Sequence, residues 1–249
     1  MELTPIEKDR YARQIVLANI GLEGQLKLKQ SKVYVIGAGG IGSSLLLYLA
    51  AAGFAEIIII DGDHVQLNNL QRQIIFNQTN LGENKAEVAK AKLLALNEHI
   101  KVTAIPHFIT TENINTMLQS NSLIADCTDN FKARYLINDY AVANNCAFVS
   151  AAVYKHQLQF GVYNFLYDEN KRSATFRCAF PEQNIEDIQD TCAETGVLGV
   201  VPGIAGVFMA NEIIKMVTHS KSVQYNKLML LDLHLLELKH IKIHRKVST

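Results

Sequence analysis

The chain has 249 residues, 49% of them apolar, and its 24 lysines and arginines balance 24 aspartates and glutamates. That length and apolar share are enough for the core of one α/β domain. The zero formal net charge provides no general positive field for nucleic acid, so a small molecule or a protein is the expected partner.

In chain order, residues 1–30 carry a helical pattern that either caps the domain or reaches a neighbouring subunit, and residues 1–13 lack the apolar stretch of a secretory signal. Short apolar, β-branched runs follow at 33–36, 56–60, 101–105, 123–126 and 147–149, each separated by a helix-length segment. This alternation predicts an α/β, Rossmann-like fold: a mostly parallel sheet with helices on both faces. After Ser150 the pattern changes. Strands are predicted at 158–165 and 227–231, and the polar stretch 167–195 has little periodicity, as a functional loop would. Pro202 opens a helix to about residue 217, and residues 233–245 alternate as a final strand in an extra C-terminal β region. The apolar windows 45–54 and 197–210 fall short of the roughly 20 residues that span a bilayer, so no membrane segment is expected and a cytoplasmic location is. The four cysteines, Cys127, Cys146, Cys178 and Cys192, show no paired spacing, which argues against a disulfide framework.

The first strand runs into Gly37-Ala38-Gly39-Gly40-Ile41-Gly42 and then a helix. Glycines there permit a tight turn and bring backbone N–H groups to phosphate at a positive helix end, or else serve only a close helix–strand crossing. Asp61 ends the next strand about 20 residues on, where a carboxylate accepts ribose hydroxyls. So far a nicotinamide dehydrogenase would fit. Beyond Asp61, however, the chain supplies Asp63, Asn68, Asn69, Gln71, Arg72, Gln73 and Lys85, amides and cations suited to a triphosphate rather than to hydride transfer. Asp126-Cys-Thr-Asp129-Asn130 closes the fourth strand, and an aspartate beside a triphosphate suggests Mg²⁺. No GxxxxGK[ST] motif occurs, which disfavours a P-loop ATPase.

With Arg10-Tyr-Ala-Arg13-Gln14 and Cys192-Ala-Glu-Thr-Gly-Val197 added, this ordered set covers nearly the whole chain and resembles the MoeB/ThiF family. These are sulfur-carrier adenylyltransferases with the fold of ubiquitin-activating enzymes. The resemblance implies one adenylation domain over 1–249: an N-terminal segment 1–30, a nucleotide-binding half 31–150, and a carrier-binding half 151–249 with a crossover loop at about 167–196. It implies a homodimer that uses ATP and Mg²⁺ to activate the C-terminal Gly-Gly carboxylate of a ubiquitin-like sulfur carrier, of the molybdopterin-synthase or thiamine type. By the same resemblance Gly40 belongs to the phosphate cradle and Asp61 holds ribose, with Gly37, Gly39 and Gly42 of the same loop expected to bind the nucleotide. Asp63, Asn68, Asn69, Gln71, Arg72, Lys85 and Asn130 contact the nucleotide, Asp129 holds Mg²⁺, and Arg13 reaches the ATP of the partner subunit. The family's usual serine is Asn68 here.

Cys192 matches a cysteine that some relatives link to the carrier as a thioester or persulfide, although no cation in Asp190-Thr-Cys-Ala-Glu194 would favour its thiolate. Cys127 and Cys146 read as packing residues. Most relatives bind structural zinc through two CxxC pairs; this chain has Thr175-Phe-Arg-Cys178 at the first and no cysteine after Cys192. A family-type zinc site is therefore not expected, and His234, His240 and His244 on the tail read as solvated. The alternatives are adenylation of a peptide, a noncatalytic nucleotide-binding adaptor, or the dehydrogenase; a tRNA substrate is disfavoured by the neutral charge.

Overall fold

A computed structural model describes residues 2–181 and 196–246. Its β-branched runs form β1 (Lys32–Ile36), β2 (Glu56–Ile60), β3 (Lys101–Ile105), β4 (Leu123–Asp126) and β5 (Ala147–Tyr154), which pair in parallel in the order β3-β2-β1-β4-β5. Three antiparallel strands extend the sheet beyond β5: β6 (Gln157–Tyr163), β9 (Lys227–Asp232) and β10 (Glu237–Lys242). A hairpin of β7 (Leu166–Asp168) and β8 (Lys171–Arg172) stands apart.

Side chains on a strand alternate between faces, and each face builds its own core. Val33, Val35, Ile57 and Ile59 join a cluster with α4 (Gly40–Ala52), α5 (Lys85–Leu96) and α9 (Val200–Val217). Tyr34, Ile36, Ile58 and Ile60 join another with α6 (Ile114–Met117), α7 (Phe131–Ala143) and α8 (Phe176–Ala179). Helices thus cover both faces, as the sequence predicts. Within the first layer α4 and α9 nearly touch: a Cβ on Gly206 would lie 2.2 Å from Ser44 Oγ, and Ser44 Oγ donates to Gly203 O at 2.7 Å. By length and apolarity α9 is, among the described residues, the one helix that could cross a membrane, but half of it is buried inside the fold.

At the N-terminus lie α1 (Pro5–Arg10), α2 (Ala12–Ile15) and α3 (Gly21–Leu28). Thr4 and Glu7 close a reciprocal capping box on α1, satisfying two donors that a helix start otherwise leaves unpaired.

Several boundaries differ from the sequence prediction. β5 runs on to Tyr154 because β6 pairs with it residue by residue from Phe148. The stretch predicted as loop from 167 contains β8 and α8, whose Phe176 packs with Phe131, Tyr135, Tyr163 and Phe180. The helix predicted from Pro202 starts at Val200; Pro202 still falls in the first turn, where a missing N–H breaks no helical bond. β10 ends at Lys242, so His244 lies past the strand and does not share a strand face with His240, while His234 sits in the β9–β10 turn.

After β10 the chain folds back on α8. Ile243 is buried, Arg245 Nη1 donates to Asn164 Oδ1 at 2.9 Å and to Ser173 O at 2.8 Å, and Lys246 N donates to Cys178 Sγ at 3.4 Å. Burial pushes the Cys178 thiol up, but its bonds with Thr175 and Lys246 outweigh this and leave it below the usual value.

Candidate active site

β1 leads into a helix on one face of the sheet and its neighbour β4 into a helix on the other. The order therefore reverses between these strands and opens a crevice outside their carboxyl ends, the place where open α/β sheets bind ligands. Residues 37–42 and 126–130 border it.

Packing accounts for some of the loop glycines. Gly37 has φ +98°, a left-handed conformation, and a Cβ there would lie 2.8 Å from Cys127 O. A Cβ on Gly42 would lie 2.2 Å from Gly37 O, and one on Gly40 would lie 3.0 Å from Pro202 Cβ. Gly39 differs: among the described residues its Cβ would meet only Gln73 Nε2, at 3.7 Å. The backbone there faces open space at the start of α4.

Asp61, at the end of β2, is buried and accepts from Ala38 N at 2.7 Å and Asp63 N at 2.8 Å. Burial raises its carboxyl above the usual value, and these two amides only partly oppose that. The bonds fix the carboxylate beside the glycine loop and leave lone pairs free. Lys85 is buried at the first position of α5, where Asn84 caps the helix by accepting from Ala86 N and Glu87 N. Its Nζ lies 2.5 Å from Asp63 Oδ2. Sequence alone reads Lys85 and Asp63 as separate nucleotide contacts; here they are an ion pair. Burial pushes the Asp63 carboxyl up, but the bond and charge of Lys85 hold it below the usual range.

Between them the chain turns tightly. Asn69 Oδ1 accepts from Gln66 N at 3.2 Å and Asn69 Nδ2 donates to Asn68 Oδ1 at 3.0 Å. Arg72 Nη1 donates to Asn68 O at 3.0 Å, and Arg72 Cγ lies 3.5 Å from where a Cβ on Gly40 would stand. The Gln71 side chain is exposed, and its carbonyl would meet a Cβ on Gly199 at 2.1 Å, so Gln71 joins this turn to the start of α9.

Across the crevice, Asp126 is fully buried. It accepts from Thr128 N (3.0 Å), Thr128 Oγ1 (2.6 Å) and Ser150 Oγ (2.6 Å). Arg134 Nη2 donates to Thr128 O at 2.7 Å and to Ala151 O at 3.4 Å. This network fixes the turn that carries exposed Asp129 and Asn130, and Asn130 Oδ1 caps α7 by accepting from Ala133 N at 2.8 Å. Read from sequence, Gln73 and Asp126 fall within the motifs, without a role of its own for Asp126, and Ser150 and Arg134 have no role in the site. An arginine one turn into a helix that follows an Asp-Cys-Thr-Asp run is the available sequence signal for Arg134.

Arg13 is not at this crevice. Its neighbours Tyr11 and Gln14 pack against the opposite end of α4, at Gly53 and Ala52, about 20 Å from the glycine loop by the rise of a 13-residue helix. Cys192 lies outside the described residues. Cys127 is buried, which raises its thiol well above the usual value, and Cys146 is buried too; neither is set up as a nucleophile. Among the described residues no group of three or more His, Cys, Asp or Glu side chains could hold a metal ion.

Comparison with known proteins bears on this geometry. The sequence profile of the ThiF family matches residues 11–249. The chain is 40% identical over 215 residues to the sulfur carrier protein adenylyltransferase of Thermus thermophilus, covering 86% of this chain and 79% of that protein. It is 37% identical over 237 residues to the adenylyltransferase and sulfurtransferase MOCS3 of Culex quinquefasciatus, covering 95% of this chain but only 53% of the relative. Among solved structures, E. coli MccB with ATP superposes with a TM-score of 0.82 at 26% identity, covering 95% of this chain and 72% of that one.

Proposed function

The chain belongs to the ThiF family, and from that membership we propose that it is an ATP-dependent adenylyltransferase for the C-terminal Gly-Gly carboxylate of a ubiquitin-like sulfur carrier of the molybdopterin-synthase or thiamine type. The observation that carries the reading is the crevice itself, where Asp61, the open backbone at Gly39, Arg72, Lys85 and the Asp129 turn converge on one sheet edge. The donor set fits ATP: a carboxylate for ribose, a helix N-terminus and two cations for phosphate, and an exposed aspartate for a metal.

In the reaction a carboxylate oxygen of the carrier attacks the α-phosphorus of ATP, the bond to the β-phosphate oxygen breaks, and pyrophosphate leaves. Negative charge grows on the leaving group, so preorganised cations carry most of the catalysis. Arg72, tethered to Asn68 O, and Lys85, tethered to Asp63, need little reorganisation to meet it. Asp61 orients the ribose, and the Asp126–Arg134–Ser150 network keeps Asp129 in place. Mg²⁺ bound by Asp129 would supply charge neutralisation and align the phosphate oxygens.

The same reading makes residues 1–249 one adenylation domain in a cytoplasmic homodimer. Arg13, remote from its own crevice, then serves the site of a second copy, and Cys192 is the candidate for any covalent link to the carrier. The tail needs no zinc in this account, since Ile243 and Arg245 hold it. Adenylation of a peptide is the alternative substrate choice. The test is transfer of labelled AMP from ATP to a Gly-Gly-terminated carrier: an acid-stable count on the carrier supports the reading, and none with any carrier, despite MgATP binding, refutes it.

A further inference from the structure

We propose that one buried water, held between Arg134 and the Tyr163 hydroxyl, ties the antiparallel half of the sheet to the turn that carries Asp129, which makes Tyr163 a positioning residue for the site. The water follows from the packing alone; its effect on catalysis rests on the adenylation reading.

Arg134 is only 5% exposed, yet its guanidinium is incompletely paired. Nη2 supplies its hydrogen bonds, to Thr128 O and Ala151 O. Nε is buried without a partner among the described residues, and Asp126 Oδ2 stands 4.0 Å from it, beyond hydrogen-bond reach. The Phe131 ring, 5.6 Å from the guanidinium carbon, limits how far the group can turn to find another acceptor. Native folds rarely leave such a donor unpaired, and an ordered water is a common partner.

A second unpaired group meets the first. Tyr163 is 1% exposed, and its hydroxyl makes no hydrogen bond among the described residues. The hydroxyl lies over Gly161, where a Cβ would stand 2.5 Å from Oη. Gly161 pairs with Ser150 on β5, so a glycine at this position admits the phenol beside Ser150. Arg134, Ser150, Gln159 and Tyr163 line one small cavity, walled by Phe160 and Phe176. Its volume of about 10 Å³ is near the least that admits one water.

The chemistry selects a neutral guest. Buried Asp126 already offsets the charge of Arg134, so the cavity has no surplus charge to hold an anion. A water can accept from the Arg134 N–H groups and from Tyr163, whose phenol burial keeps protonated. It can donate to Ser150 Oγ, whose own proton goes to Asp126 Oδ2, and to the Gln159 carboxamide, which gives it the three or so partners usual for a buried water. The consequence reaches the crevice because Arg134 holds Thr128 O, the carbonyl next to Asp129. Tyr163, on β6, thus acts on Asp129 through the water, the guanidinium and that carbonyl.

Diffraction from wild-type crystals tests the water directly. One ordered water within hydrogen-bond distance of an Arg134 nitrogen and of Tyr163 Oη supports the proposal; an empty cavity, or a side chain filling it, overturns it. Tyr163→Phe keeps the ring against Phe148 and Phe176 and removes one partner of the water. Its carrier-dependent turnover should fall about threefold to tenfold, the worth of one hydrogen bond, and its Mg²⁺ requirement should rise by a similar factor, with KM for the carrier unchanged. If this variant does not fold, Ala152→Val, which fills the cavity from β5, should expel the water and show the same shift. A lower melting temperature with wild-type turnover and Mg²⁺ requirement would reduce Tyr163 to a packing role and overturn its positioning role. Wild-type protein that holds the water but adenylates no carrier would refute the adenylation reading, and the catalytic role with it, while the water site would stand.

Discussion

Asp63 Oδ2 and Lys85 Nζ stand 2.5 Å apart, with the lysine side chain 6% exposed and the aspartate 48%. The buried cation beside the crevice is thus neutralised before any nucleotide arrives. Asp63→Asn leaves Lys85 buried without its counter-ion, and the cost should be about 1–2 kcal/mol of stability, less than for a fully buried pair because Asp63 faces water. Lys85 holds the Asp63 carboxyl below its ordinary value despite burial. The pair's contribution is therefore complete above the ordinary aspartate range and is lost as pH falls through the lowered folded value. Melting curves of wild type and Asp63→Asn should differ at neutral pH and converge in strong acid; a gap independent of pH contradicts the pairing.

Arg72→Ala and Asp129→Ala should each lower carrier adenylation about a hundredfold or more, since on the proposed reading each removes a preorganised charge that serves the triphosphate or its metal. Neither side chain is in the core: Asp129 is exposed, and among the described residues the Arg72 side chain makes one hydrogen bond, to the Asn68 carbonyl. Circular dichroism and melting temperature should stay close to wild type. Turnover near wild type in either variant removes that residue from the site.

If Arg13 completes the crevice of a second copy, inactive Arg13→Ala and inactive Asp129→Ala proteins should regain activity when their subunits are mixed. Half the dimers would then be mixed, each with one intact site, so about a quarter of wild-type activity should return. Continued inactivity after verified subunit exchange contradicts a shared site.

The C-terminal clip predicts its own stability effects. Arg245→Ala unpairs the oxygen of the fully buried Asn164 and frees Ser173 O, which should cost about 1–3 kcal/mol. Chelation should leave the wild-type melting temperature unchanged. A drop on chelator treatment would show that a metal, rather than this clip, holds the corner.

The parallel half of the fold is plain in the sequence because Val33, Ile57, Ile124 and their neighbours form β-branched runs separated by helix-length segments. β8 has two residues and α8 four, too few to show a period, so they disappear into a stretch that reads as loop. The site divides along a similar line. Gly37–Gly42, Asp61, Arg72 and Asp129 are legible as motifs. By contrast, Gln71 and Gln73 look alike in sequence, and only the fold exposes one and buries the other beside Gly39. Likewise nothing local marks Asp63 as the counter-ion of Lys85, 22 residues away.

The most direct test of the account is ATP–pyrophosphate exchange in Mg²⁺ with purified Gly-Gly-terminated carriers of the molybdopterin-synthase and thiamine types, beside a carrier-free control. The account predicts exchange that depends on a carrier and requires its terminal carboxylate. No exchange with either carrier, from protein that MgATP protects against heat, would contradict carrier adenylation and turn attention to a peptide substrate or a nucleotide-binding adaptor.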